Sequence, residues 1–152
     1  VALTLALCGC GLSNTSNIPD VADPLPALPQ WSQALVGKPL VPSFATTSSC
    51  AGYVDIVTAK YGKGLTGAAI EGWGWDAGAK KPALQVLLVD DTGKIVGAAD
   101  GGRPRPDVPK ARPDVPNPNV GWRGYTTAVK GEIKAYAVGD SQSACLLGRI
   151  DL

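Results

Sequence analysis

Between Gly97 and Tyr125 the chain reads Gly-Ala-Ala-Asp-Gly-Gly-Arg-Pro-Arg-Pro-Asp-Val-Pro-Lys-Ala-Arg-Pro-Asp-Val-Pro-Asn-Pro-Asn-Val-Gly-Trp-Arg-Gly-Tyr. Proline fixes φ and offers no backbone N–H, so this run is neither a central strand nor a long helix. Apolar alternating segments flank it on both sides, and it reads as a long structured connection inside a β-domain. Within it Arg105-Pro106-Asp107-Val108-Pro109 returns as Arg112-Pro113-Asp114-Val115-Pro116. Tandem duplication on this scale is too short for a solenoid, where each repeat needs stacked neighbours to bury its face. A local duplication in a loop is the simpler account. Asp107 is placed to cap a short turn from Val108 to Ala111, with Pro109 tolerated in the first turn, while Arg105 or Arg112 can pair with a nearby carboxylate. The segment is then either a capped turn that pins a crossover between sheets or a basic, proline-stiffened ridge for an anionic or glycan partner.

Moving outward, Tyr53 to Ala59, Ala68 to Trp75, Leu84 to Val89 and Lys94 to Ala98 precede the loop as short β-like runs. Asp90-Asp91-Thr92-Gly93 joins the last two as a hairpin, Gly93 supplying the positive φ of the turn. Trp122 to Val129, Ile133 to Val138 and Ala144 to Ile150 follow, joined by Lys130-Gly131-Glu132 and Gly139-Asp140-Ser141. Seven short strands at this spacing, with no long amphipathic helix, predict an all-β fold: an antiparallel, immunoglobulin-like sandwich over residues 50–152.

The remaining length of this 152-residue chain suits a tail. Val1 to Leu7 is an apolar run, followed by Leu7-Cys8-Gly9-Cys10-Gly11 and an abrupt change to Ser, Asn and Pro. Residues 1–10 thus read as the end of a signal h-region meeting a cleavage site. Leu-x-Gly-Cys resembles the bacterial lipobox, which implies lipid on Cys10; Cys8 fits less well because Leu7 stands where that pattern prefers a small residue. Residues 11–49 hold few charges and many prolines and read as a semi-extended tether, partly docked on the domain through Trp31, Leu35, Val36, Leu40, Val41 and Phe44. The expected partners are then a membrane, through the anchor, and an envelope protein or glycan; the expected address is the periplasm or cell surface.

With Cys10 lipidated, Cys50 and Cys145 remain as a pair in an oxidising compartment and are expected to form a disulfide. A tetrathiolate zinc site would need Cys-x-x-Cys knuckles that the spacing 8/10/50/145 lacks. A net charge of +1 does not suggest nucleic acid. The absence of histidine removes Ser-His-Asp and Cys-His nucleophile pairs and imidazole metal sites.

Gly62-Lys63-Gly64-Leu65-Thr66-Gly67 matches the letters of a dinucleotide fingerprint, with Asp90 at a plausible distance. That site needs a helix N-terminus after the third glycine, and Gly72, Gly74 and Gly78 weaken any helix there by about 1 kcal/mol each. A nucleotide-binding enzyme through Gly62, Gly64 and Gly67 is the remote reading, and no cofactor is expected.

Gly72-Trp73-Gly74-Trp75-Asp76 places two indoles on one face of a strand and two glycines on the other. As core, one Trp packs against the Cys50–Cys145 bridge and the glycines admit a close neighbour. As function, the paired Trp73 and Trp75 with Tyr125 or Trp122 form a flat platform for sugar rings, and Asp and Arg side chains, Arg103, Arg105 and Arg123 among them, bind hydroxyls. Glu71, Asp55, Asp76, Asp90, Asp91 and Asp100 are the plausible acid/base groups, and no spacing singles out the pair a glycosidase needs; no enzyme is expected.

Taken in order, Gly-Trp-Gly-Trp-Asp, the hairpin with Asp-Thr-Gly-Lys and Val-Gly-Ala-Ala, Gly-Gly-Arg-Pro-Arg-Pro-Asp-Val, Gly-Trp-Arg-Gly-Tyr and Ile-Lys-Ala-Tyr-Ala-Val resemble a poorly characterised β-sandwich domain of bacterial extracytoplasmic and membrane proteins, some of which carry membrane glycosyltransferase-like regions. The resemblance covers Cys50 to Leu152; the second Arg-Pro-Asp-Val-Pro departs from it. It implies a non-catalytic accessory domain for protein interaction or structure, with a carbohydrate or envelope-polymer binding module as the alternative. Buried indoles favour the first and an exposed aromatic pair the second.

Overall fold

The computed structural model describes residues 18–62 and 66–152. Cys8, Cys10 and Gly64 lie outside the described residues. Among them the strands are β1 (Asp20–Val21), β2 (Ala45–Thr47), β3 (Cys50–Tyr61), β4 (Gly67–Asp76), β5 (Lys81–Pro82), β6 (Gln85–Val89), β7 (Ile95–Arg103), β8 (Gly121–Thr126), β9 (Glu132–Gly139) and β10 (Ser143–Asp151). A short helix, α1 (Asp107–Ala111), lies in the proline-rich connection. The runs expected as strands are all found, as β3, β4 and β6 to β10.

In place of two separate antiparallel sheets, the described strands make one ten-stranded sheet in the order β1-β3-β4-β8-β7-β6-β9-β10-β2, with β5 also paired to β4. The proline-rich loop is the reason. It carries the chain from β7 over the sheet so that β8 returns between β4 and β7, antiparallel to both, and the ladder stays continuous. At the edges β1 runs parallel to β3 and β2 parallel to β10. Residues 18–49, expected as tether with a docked part, supply both edge strands.

The sheet folds back on itself so that β10 packs across β3. Cys50 and Cys145 are joined by a disulfide between these strands, 95 residues apart in sequence. Beside it Leu147 sits over Gly52 and Gly74, which face each other in the β3–β4 ladder. A Cβ at Gly52 would meet Leu147 Cδ2 at 2.7 Å and the Trp73 carbonyl at 2.8 Å, so only glycine leaves room for the crossing. The enclosed face holds the main core, including Val54, Ile70, Val86, Leu88, Trp122, Ile133 and Leu147. Cys50 packs on this core, whereas Ala51 beside it sits with Trp73 and Trp75 on the outer face. The expected packing of an indole against the bridge is thereby corrected: period-2 alternation sends them to opposite sides.

The outer face is covered by pads from the proline-rich segments. Leu40 and Phe44, with Trp31, Leu35 and Val36, cover Leu87, Val89, Ile95 and Ala98. Val21 and Leu25 cover Ala59, Tyr61, Ala69 and Tyr125. Val108, Val115 and Val120 from the β7–β8 connection cover Trp73 and Trp75.

Candidate functional site

The duplicated motif builds the third pad by making the same device in each copy. Arg105 Nε and Nη2 donate to the carboxylate of Asp107 at 2.8 Å each. Arg112 Nε and Nη2 donate to Asp114 at 3.0 and 2.7 Å. Each planar fork closes the turn around its Pro and turns the next residue, Val108 or Val115, into the indole cluster. The expected cap is corrected: α1 has Pro106 at its N-cap position without a side-chain hydrogen bond, because the Asp107 carboxylate is held by Arg105. The Arg105 guanidinium holds Asp107 below the ordinary carboxylate range, and Arg112 does the same to Asp114. Arg112 also stands 5.6 Å above the Trp73 ring, and Arg105 Nη1 reaches across to donate to Asp55 Oδ2 at 2.6 Å.

This covering decides the fate of the aromatic platform. Trp73 is 8% exposed and Trp75 7%. Trp122 is 1% exposed and packs on the enclosed face over Gly72. Trp75 and Trp122, the candidates for a ligand platform, therefore lie in cores, as the alternative core reading has it. Trp75 touches only the lining of a groove of about 380 Å³ with Lys80, Pro113, Asp114 and Pro116.

Arg103, Arg105, Arg123 and Tyr125 are brought together on the outer face. Register places Ile56 opposite Glu71, Glu71 opposite Arg123 and Arg123 opposite Asp100, a row across β3, β4, β8 and β7. The row runs in the gap between the pads. On one side Arg103, Pro104 and Arg105 wall a groove of about 160 Å³ that Glu71 and Gly121 also line. On the other side Trp31 Nε1 donates to Asp100 Oδ1 at 2.9 Å, and Tyr125 lies 5.9 Å beneath the Arg123 guanidinium. Arg123 Nε is 3.5 Å from Glu71 Oε1, and it is buried without a hydrogen-bond partner. Tyr53, a neighbour on β3, is 61% exposed.

Four of the carboxylates weighed as acid/base groups, Asp55, Asp76, Asp90 and Asp100, accept hydrogen bonds from other parts of the fold. Asp55 is held by Arg105 and Asp100 by Trp31, and Asp76 Oδ1 accepts from the Ala79 N–H at 2.9 Å. Asp90 Oδ1 accepts from the backbone of Thr92 and Lys94 and from the Thr92 hydroxyl. Burial raises the Asp90 pKa, but these hydrogen bonds outweigh it and hold the group below its ordinary value. Among the described residues no group of three His, Cys, Asp or Glu side chains is placed to hold a metal ion. No described helix is long and apolar enough to cross a membrane.

The dinucleotide reading is corrected by the backbone. Gly62 has φ 78° at the end of β3, Gly67 begins β4, and β4 runs back antiparallel beside β3 with Gly67 opposite Tyr61. Thr66 N–H donates to the Tyr61 carbonyl at 2.6 Å, so Gly62 and Gly67 serve a hairpin, where a phosphate site needs a helix N-terminus.

Sequence reasoning missed the row itself. Ile56, Glu71 and Asp100 belong to it only through register, and Tyr53 reads from sequence as one more strand residue. Alternation alone signalled that Glu71 and Trp73 share a face. Comparison with protein-family models, with curated proteins and with solved structures finds no match to this chain.

Proposed function

We propose that the chain is a non-catalytic accessory domain of the bacterial cell envelope, held at the membrane by lipid on Cys10 and working by contact with a partner. The observation that carries this reading is the burial of Trp73 and Trp75 beneath Val108, Val115 and Val120, which makes the aromatic-rich motif a core. The structural partners of Asp55, Asp76, Asp90 and Asp100 support the same view, since a general acid or base needs a carboxylate free to exchange protons with substrate. An immunoglobulin-like kinship is the finer part of the fold proposal; the packing of β10 across β3 supports a two-layered form, and the single continuous ladder weighs against it. The anchor is tested by mass spectrometry of the N-terminal peptide recovered from membranes. Diacylglyceryl-modified Cys10 is expected, and an unmodified Cys10 in a soluble fraction ends the idea.

A second reading, carbohydrate binding, is favoured by one observation: the row of Glu71, Arg123 and Asp100 that the pads leave uncovered.

A further inference from the structure

We propose that the uncovered row is a cleft for a linear, near-neutral oligosaccharide, with Glu71 and Arg123 as its central ligands and Arg103 and Tyr53 at its rim. The proposal rests on the carbohydrate-binding reading and gives it a location that does not involve Trp75 or Trp122. A row crossing four strands spans roughly 14 Å at the inter-strand spacing, long enough for an extended chain of sugar rings rather than a single one. Its length runs across the strands, between walls supplied by different pads.

The chemistry of the cleft selects its occupant. Arg103, Arg105 and Arg123 stand among Asp55, Glu71, Asp100 and Asp107, so donors and acceptors alternate and the local charge nearly cancels. Such a surface has no net attraction for a polyanion, whereas a hydroxyl can donate to a carboxylate and accept from a guanidinium at once. Hydrogen-bonding capacity is also left over. Arg105 spends its guanidinium on Asp55 and Asp107, whereas Arg123 makes one long ionic contact among the described residues, Nε to Glu71 Oε1 at 3.5 Å, beside its stacking on Tyr125. The Arg123 and Glu71 side chains are 34% and 36% exposed, so a ligand hydroxyl can meet the outer part of the guanidinium and of the carboxylate. Tyr53, 61% exposed and paired with Trp73 two residues along β4 from Glu71, offers a flat apolar face with a polar tip.

An added peptide strand fits less well. The nearby edge of β3 carries irregularities between Val54 and Ile56 and between Val57 and Ala59. With Asp55 at the first, these blunt the edge against strand addition.

The test is an array of immobilised linear oligosaccharides probed with the full chain, followed by titration calorimetry with the best soluble hit. Arg123→Ala, Glu71→Gln and Tyr53→Ala are compared with wild type, and Lys80→Ala in the separate Trp75 groove serves as control. Selective binding is expected, weakened about tenfold or more by Arg123→Ala and by Glu71→Gln and unchanged by Lys80→Ala. Thermal melts accompany each variant, and Tyr53→Ala, which removes an exposed ring, provides a surface variant should Arg123→Ala unfold. Absence of binding by folded wild type overturns the proposal, as does binding that Glu71→Gln and Tyr53→Ala leave intact or that only Lys80→Ala removes. An unmodified Cys10 would defeat the anchor and leave this outcome unaffected.

Discussion

At Gly52 the absence of a single carbon permits the molecule to fold over. Leu147 Cβ and the Trp73 carbonyl would each lie 2.8 Å from an added Cβ, and the carbonyl is backbone that cannot turn aside. Gly52→Ala is expected to destabilise the fold by roughly 1–3 kcal/mol, as overpacking does. Leu147→Ala in the same chain should show coupling with it in a double-mutant cycle read by denaturant unfolding. Strictly additive effects would mean that Leu147 and Gly52 do not compete for the same space. The arginine forks make a different kind of prediction. Asp107 and Asp114 are held below the ordinary 3.8 by Arg105 and Arg112. A depressed carboxylate contributes stability that is complete above its unfolded value and is lost as pH falls through the lower folded one. Carboxyl NMR titration should therefore give midpoints under 3.8 for both, and Arg112→Ala should return Asp114 to the ordinary value while leaving Asp107 low. At this scale the sequence showed that Arg and Asp were available to pair; it did not show that Asp107 would choose Arg105 over the helix N-terminus, because a bidentate ion pair and a cap compete for the same oxygens.

The β7–β8 connection is where a repeated pentapeptide becomes a lid. Each copy contributes one fork and one buried valine, and Val115 is fully buried against the indoles. Val115→Ala removes two methyl groups from this contact and should cost on the order of 2 kcal/mol, with the tryptophan emission shifting to the red as water reaches the rings. An unshifted spectrum with undiminished stability would show that the loop rests on the sheet without sealing it. The strands were legible because alternation and turn residues are local signals. The pads were not, since Val108 and Val115 meet Trp73 and Trp75 across more than thirty intervening residues, a pairing that depends on where β8 inserts. The cleft was hidden for the same reason: Glu71, Arg123 and Asp100 are neighbours only once the order of β4, β8 and β7 is known.

For the molecule as a whole the disulfide ties together strands far apart in the sheet order. Cys50 and Cys145 close 95 residues, which in the chain-entropy model contributes about 4–5 kcal/mol. Cys50→Ala with Cys145→Ala should lower the unfolding free energy by a large part of that amount, read from the denaturant midpoint. A change under roughly 1 kcal/mol would mean that Leu147 in its glycine slot holds the crossing alone. The cysteine pairing was readable from the count and spacing, whereas the single sheet was not, because nothing local distinguishes a strand that splits a ladder from one that completes it. The docking of Ile18 against the main core bears on where the molecule sits. With lipid on Cys10, the chain from the anchor to Ile18 reaches under about 30 Å even fully extended. The protein would then ride low over the bilayer, and any polymer in its cleft would be held within the layer of envelope nearest that membrane.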